Sequence, residues 1–203
     1  MTVRGVLHVH SSPPALSPHL EWAVAGVLSV PVSLPWVDQA ASPGMLRAEL
    51  DWQCRPGTAG AITSALAGWN RLRFEVTEEA SPGCDAVRYS YTPSLGTFCA
   101  VTSANGDILV PEGRLRAAMT LAAVTRRHQD GLSETGPAGP ASPGGSADRI
   151  GSLQERHGPR HPALGGSLEA ELALLIGQPW DDELEPFRRA GAGAPVRWLN
   201  ATG

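Results

Sequence analysis

Apolar and polar residues alternate from the third position of the chain. Across Val3–His10, one face carries Val3, Gly5, Leu7 and Val9, and the other carries Arg4, Val6, His8 and His10, the two-residue period of a strand. The period then changes. Leu20, Ala23, Val24, Val27 and Leu28 recur at the spacing of one helix face, with Ser17 placed to cap the helix and Pro18 suited to its first turn. A second strand is expected over Val32–Val37, at a sheet edge because Pro35 has no amide hydrogen to give to a ladder. Met45–Gln53 alternates Leu46, Ala48, Leu50 and Trp52 against Arg47, Glu49, Asp51 and Gln53. A helix over Thr58–Trp69 follows, with Ile62, Ala65, Leu66 and Trp69 on one side. Leu72–Glu78 then alternates Leu72, Phe74 and Val76 against Arg73, Glu75 and Thr77.

The order β-α-β-β-α-β is that of a ferredoxin-like split crossover and predicts an α+β fold. Right-handed crossovers put the first and third strands in the centre and the second at an edge. The two helices then cover one face and bury Leu7, Val9, Leu50, Trp52, Phe74 and Val76. This core is extended by a further β-hairpin and C-terminal helices. Val87, Tyr89 and Tyr91 alternate with Arg88 and Ser90, and GTFCAVTSANGDILVP reads as a hairpin turning at Asn105-Gly106 with both residues at positive φ. A third helix starts near Pro111, with Leu115, Ala118, Met119 and Ala122 as its apolar side. Leu168, Leu172, Leu175 and Ile176 mark a short helix stopped by Gly177 and Pro179.

In PWDDELEPFRRAG the acids precede the arginines, so Asp181, Asp182 and Glu183 read as partners of a helix dipole. The tail APVRWLN is expected to add a strand or to pack Trp198 on the body. Between Gln129 and Gly166 stand nine glycines and five prolines, a composition unable to bury a core. The organisation expected is therefore a core domain over 1–126, a disordered insertion over 127–166, and a helical segment over 167–203 that packs on the core.

Composition narrows the chemistry. The chain of 203 residues has no lysine; all 16 of its basic residues are arginine. Schiff-base catalysis, a Ser–Lys nucleophile and a phosphate-binding loop ending in Lys-Ser or Lys-Thr each need an ammonium group and are excluded. A net charge of −4 argues against a nucleic-acid partner, which needs a basic surface. The apolar stretch Ala23–Leu34 is too short to span a bilayer and contains Pro31, so no membrane partner is expected. The first residues lack the charged-then-apolar pattern of an export signal. Cys54, Cys84 and Cys99 are scattered, odd in number and without a C-x-x-C pair, which fits free thiols in a cytoplasmic protein. Cys99, within a strand, reads as a core thiol.

Several phrases together, HSSPPALSPHLEWAVAGVL, RFEVTEEASPG, YSYTP, GDILVPEGRL and WDDELEPFRRAGAGAPVRWL, resemble DUF3145, a family of uncharacterised actinobacterial proteins. The resemblance covers Thr2–Arg126 and Ser167–Leu199. It implies no activity, cofactor or catalytic residue. It also implies that the Gly/Pro-rich insertion holds no shared function.

The residues that can carry chemistry gather on the sheet face opposite the first two helices: Arg4, His8 and His10 from the first strand, Arg47, Glu49 and Asp51 from the third, and Arg73 and Glu75 from the fourth. His19, near the first helix start, can approach His10. An open sheet face looks like this when it is merely solvated. The same set also suits a partner surface, and His8, His10 and Glu49 are candidate ligands for zinc, iron or manganese. Trp22, Ala25 and Gly26 form a second stripe on the first helix. Gly26 costs ~1 kcal/mol there relative to alanine; either a close-packed neighbour, the C-terminal helix or another subunit, accounts for it, or the glycine is simply tolerated. The reading is a non-enzymatic cytosolic adaptor or regulatory protein without a cofactor, working through protein contacts at the sheet face and at Trp22 and Gly26, its partner a second copy of the chain or another protein. The alternatives are a small metal-dependent enzyme and an acyl or small-ligand module with a cleft between the sheet and the C-terminal segment.

Overall fold

Val3–Ser12 forms β1, and the rest of the protein is arranged around it. The structure, a computed structural model, describes residues 2–133 and 167–191. β1 is paired on one side by β3 (Leu46–Cys54) and on the other by β4 (Arg73–Glu78). β2 (Val37–Asp38) borders β3, while β5 (Ala86–Thr92), β6 (Gly96–Thr102) and β7 (Ile108–Leu109) continue beyond β4. The result is one seven-stranded antiparallel sheet in the order β2-β3-β1-β4-β5-β6-β7. The second strand lies at the edge as expected, and the first and third are neighbours, but β3 stands beside the edge strand and not in the centre, because β5, β6 and β7 extend the sheet on the other side of β4.

α1 (Ser17–Leu28) and α2 (Thr58–Leu66) pack together on one face of the sheet. Between them and the strands lies the main core: Leu20 and Val24 from α1, Ala59, Ile62 and Leu66 from α2, and Leu7, Val9, Trp52, Phe74 and Val76 beneath. Leu50 packs against its margin. β1 has no room for a side chain at Gly5: a Cβ there would lie 2.1 Å from the Thr77 carbonyl oxygen and from the Trp52 ring. α2 is capped from across the fold. The Glu78 carboxylate, at the end of β4, accepts the amides of Gly57 (2.7 Å) and Ala59 (2.9 Å), donors that a helix start leaves unpaired.

The other face is covered as well. α4 (Leu168–Leu175) packs on α3 (Glu112–Ser133), and α5 (Gln178–Ala190) lies against β1 and β5. Phe98 and Ala100 of β6 form a second, smaller core with Trp180 of α5, whose indole donates to the Gly96 carbonyl (3.0 Å). Gly177 makes the sharp α4–α5 turn at φ +77, and a Cβ there would meet the Phe98 ring at 2.5 Å.

Several expectations need correction. The second strand is two residues long, and residues 31–36 are not extended into the ladder. Pro31 and Pro35 supply no amides there, and the Glu21 carboxylate of α1 takes up the Leu34 amide (2.8 Å) and the Trp36 indole (3.0 Å) instead. Ser17 is inside α1 and caps nothing; a 3-10 turn over Pro14–Leu16 leads into the helix. The β6–β7 turn is longer than two residues, and only Gly106 has positive φ, because Ser103 Oγ accepts the Asn105 and Asp107 amides and closes the loop. α3 runs to Ser133, past the boundary expected at Arg126. Cys99 is exposed, since its neighbours Phe98 and Ala100 are the residues of β6 that face the second core. The expectations for the rest of the Gly/Pro-rich insertion and for the APVRWLN tail lie outside the described residues.

Candidate functional site

Register decides which polar residues meet. His8 stands opposite Glu49 on one side and Glu75 on the other, so the three share a face. Thr77 is opposite Arg88, and Glu75 opposite Ser90, which brings β5 into the same surface. A bulge after Val9 shifts the end of β1 and turns His10 toward Glu75. All eight polar strand residues expected on this face are there, but the face is open only in part. α5 lies over the end that holds His10, Arg47, Arg73 and Glu75.

Glu75 is completely buried and is the centre of this covered end. One carboxylate oxygen accepts from His10 Nε2 (2.7 Å) and Arg188 Nε (2.9 Å). The other accepts from Arg88 Nε (3.0 Å) and Nη2 (2.7 Å), from Ser90 Oγ (3.0 Å), and from Arg188 Nη2 (2.6 Å). Asp181, on α5, bridges the same two guanidinium groups: it accepts Arg88 and, at 2.7 Å, Arg188. Two carboxylates thus face two guanidiniums, the condition under which charge is tolerated inside a protein. Burial alone pushes the Glu75 carboxyl up. The His10 hydrogen bond and the charges of His10, Arg88 and Arg188 outweigh it and hold the group well below the ordinary carboxylate range. For Arg188 burial likewise opposes the charge, and Glu75 and Asp181 more than restore it, leaving the guanidinium more basic than usual.

The neighbouring attachments are weaker in charge but numerous. Glu183 of α5 pairs with Arg73 (3.0 Å) and accepts Ser94 Oγ, and the Arg73 guanidinium lies 4.9 Å above the Phe187 ring. Gln39, nearly inaccessible, donates to the His10 carbonyl (2.7 Å) and the Phe187 carbonyl (3.3 Å). Arg47 donates to the Gly191 carbonyl at the end of α5 (3.3 Å). Asp181 stands in the first turn of α5 and Arg188 and Arg189 in its last, as expected of a helix dipole, and Asp181 and Glu183 also bind the sheet. Asp182, which points elsewhere, accepts from Gln178 one turn earlier.

His8 is buried beside this network. Its ring stacks on His10 with 6.0 Å between centroids, and Nδ1 lies 3.6 Å from Glu49. Desolvation, helped by His10, pushes its pKa down to about 4 against the pull of Glu75 and Asp51, so His8 is neutral at pH 7. Of the three candidate metal ligands, His10 is engaged by Glu75 and Glu49 is half-buried next to His8. Among the described residues no group of three or more His, Cys, Asp or Glu side chains is arranged to hold a metal ion. His19 is exposed on α1.

Where α5 stops, the same face opens into a groove of about 760 Å³. Its floor and walls include Arg4, Val6, Asp51 and Thr77, with His8 and Arg88 at the end next to the ion network and the β6–β7 turn along one side. Arg4 is exposed. Trp22 and Gly26 lie in the opposite layer, on the outer side of α1. Trp22 is 79% exposed, and a Cβ on Gly26 would meet nothing within 4 Å. The C-terminal helix is therefore not the neighbour that Gly26 was expected to have, since it packs across the sheet from α1.

Residues that sequence reasoning did not single out do most of the work in the network: Arg88, Ser90, Arg188 and Gln39, together with Asp181, which was read only as a helix-end charge. A signal for part of this existed. Arg88 and Ser90 alternate with Tyr89 in β5, and Asp181 and Arg188 are seven residues apart, two helical turns, beside the apolar stripe Trp180, Leu184 and Phe187. What no pattern displayed was that the two surfaces meet.

A seven-stranded antiparallel sheet with helices on both faces, its second helical layer tied down by a buried carboxylate and two arginines, defines a protein class by architecture alone. The chain belongs to the family described as "Protein of unknown function (DUF3145)", whose model matches residues 6–135 and 150–201. The unmatched stretch between them falls within the Gly- and Pro-rich segment. No curated protein and no solved structure matches the chain. Among the described residues no helix is long and apolar enough to cross a membrane.

Proposed function

We propose that the protein is a non-enzymatic cytoplasmic adaptor or regulatory protein that acts by binding another protein through the outer face of α1. In this reading β1–β4 with α1 and α2 form a ferredoxin-like module that presents the helix. The observation that carries it is Trp22: the largest side-chain type stands 79% exposed on a well-packed helix, beside a glycine with open space above it. Tryptophan is enriched among the few residues that carry most of the binding energy in protein interfaces. The polar sheet face that was the other candidate surface is half occupied by α5, which supports α1 as the contact face.

A photoreactive phenylalanine analogue at position 22, introduced in the native host, tests this. One reproducible protein adduct is expected, lost with Trp22→Glu when the analogue is moved to position 26. Absence of any discrete adduct, with the purified protein sedimenting as a monomer at all concentrations, overturns it. A second reading, binding of a small molecule, is favoured by the groove beside Arg4, His8 and Asp51. Native mass spectrometry of protein purified from the host tests that reading: a retained mass lost on denaturation supports it, and a bare protein mass opposes it.

A further inference from the structure

α3 is a long helix with little packed against it. Of residues 112–127, only Ala118 and Ala122 are buried, and α4 is the helix that lies against α3. Leu115 and Met119 belong to the same apolar side in the sequence, yet they stay 38% and 55% exposed. A helix draws most of its stability from packing an apolar face, so α3 carries a second stripe left open among the described residues. That stripe has a symmetry of its own. Glu112, Leu115, Met119, Ala123 and Arg126, all exposed, follow at steps of three, four, four and three residues. Such steps keep them on one face and make the spacing read alike in both directions from Met119. The two ends carry opposite charges, Glu112 at one and Arg126 at the other.

We propose that this stripe docks a second copy of the chain, two α3 helices lying antiparallel across a two-fold axis at Met119. In that arrangement Met119 meets Met119, Leu115 meets Ala123, and Glu112 meets Arg126 at each end. A two-fold interface requires this kind of self-complementarity, in which each residue faces its mirror position on the same patch. A parallel pair would set Glu112 on Glu112 and Arg126 on Arg126, which repel. Arg116, one turn along, already donates to the Glu112 carboxylate (2.9 Å from Nε), but a carboxylate has ~four acceptor sites and keeps room for a second guanidinium. From Glu112 to Arg126 the stripe is ~21 Å long. A contact of that length buries less than the ~800 Å² per partner of a tight complex, so the dimer is a reversible one. α3 is a different helix from α1, and this dimer stands or falls independently of any contact at Trp22.

Sedimentation of the full chain over a range of concentrations tests the proposal, and a monomer–dimer equilibrium is expected. Glu112→Arg and Arg126→Glu each set like charges together at both ends of the stripe. Each should weaken the dimer by ~100-fold or more while circular dichroism shows the native helix content. Mixed in equal amounts, the two variants regain both ion pairs and should form a heterodimer about as stable as the native homodimer. Met119→Glu, on the axis, should leave a monomer. A native chain that stays monomeric at every concentration overturns the proposal. So does a dimer that survives the charge reversals, or a mixture of the two variants that stays monomeric.

Discussion

Glu75 shows what a single buried charge demands of its surroundings. It accepts from His10, Arg88, Ser90 and Arg188, and Asp181 shares the two arginines. Glu75→Gln keeps the shape and removes one of two negative charges facing two guanidiniums. Leaving a buried cation uncompensated costs roughly 3–5 kcal/mol, and a loss of that size is expected in urea unfolding at pH 7. His8 gives the acid response. The unfolded chain takes up a proton near the ordinary histidine value of 6.5, while the folded protein resists until about 4. The stability held by neutral His8 is therefore complete above pH 6.5 and is lost as pH falls toward 4. That of Glu75, whose folded value is lowered, is complete above the ordinary carboxylate range and goes only at stronger acid. Urea unfolding at pH 7, 5.5 and 4.5 should show a steady decline in the native protein. In His8→Phe, which no longer titrates amid His10, Glu49, Asp51, Glu75 and Arg188, the decline between 6.5 and 4 should flatten.

At the scale of elements, two glycines with the same composition signal behave oppositely. Gly5 in β1 lets the Trp52 ring and the Thr77 carbonyl approach within 2.1 Å of where a Cβ would be. Gly26 in α1 has nothing near it. Gly5→Ala is expected to destabilise severely, by several kcal/mol, because strand backbone has to move. Gly26→Ala is expected to stabilise by up to ~1 kcal/mol, the helix propensity difference. Thermal unfolding of the two variants checks both. The elements themselves were legible where periodicity was long: β1, α1, β3, α2, β4 and β5 stand close to their expected bounds. Residues 31–36 failed because an apolar run with two prolines resembles an edge strand. Its local alternative, the carboxylate of Glu21, belongs to a different element and leaves no mark in that segment.

For the whole molecule, the second helical layer is joined to the sheet both by charge and by the Phe98, Ala100 and Trp180 core. α5 should therefore unfold with the sheet. Trp180→Ala removes the large apolar anchor at a cost of about 3–5 kcal/mol. The native protein should lose helix, by circular dichroism, and tertiary packing, by tryptophan fluorescence, in one coincident transition. A separate early helical transition in the native protein would show that α5 is an independent appendage.

The sequence by itself determined which residues are strand or helix over most of the chain, the family, and the strand face that carries Arg4, His8, Glu49 and Arg73. These are properties of local period and of neighbouring strands, and a period of two or 3.6 residues is written in a short stretch. Only the tertiary structure decided that this face is shared between a buried ion network and a groove. Glu75 and Arg188 stand 113 residues apart, and the spacing between them sets no register for a helix lying across a sheet. Their meeting follows from packing of the second layer, where the pairing of buried opposite charges selects one placement of α5 among the many that its apolar stripe alone would allow.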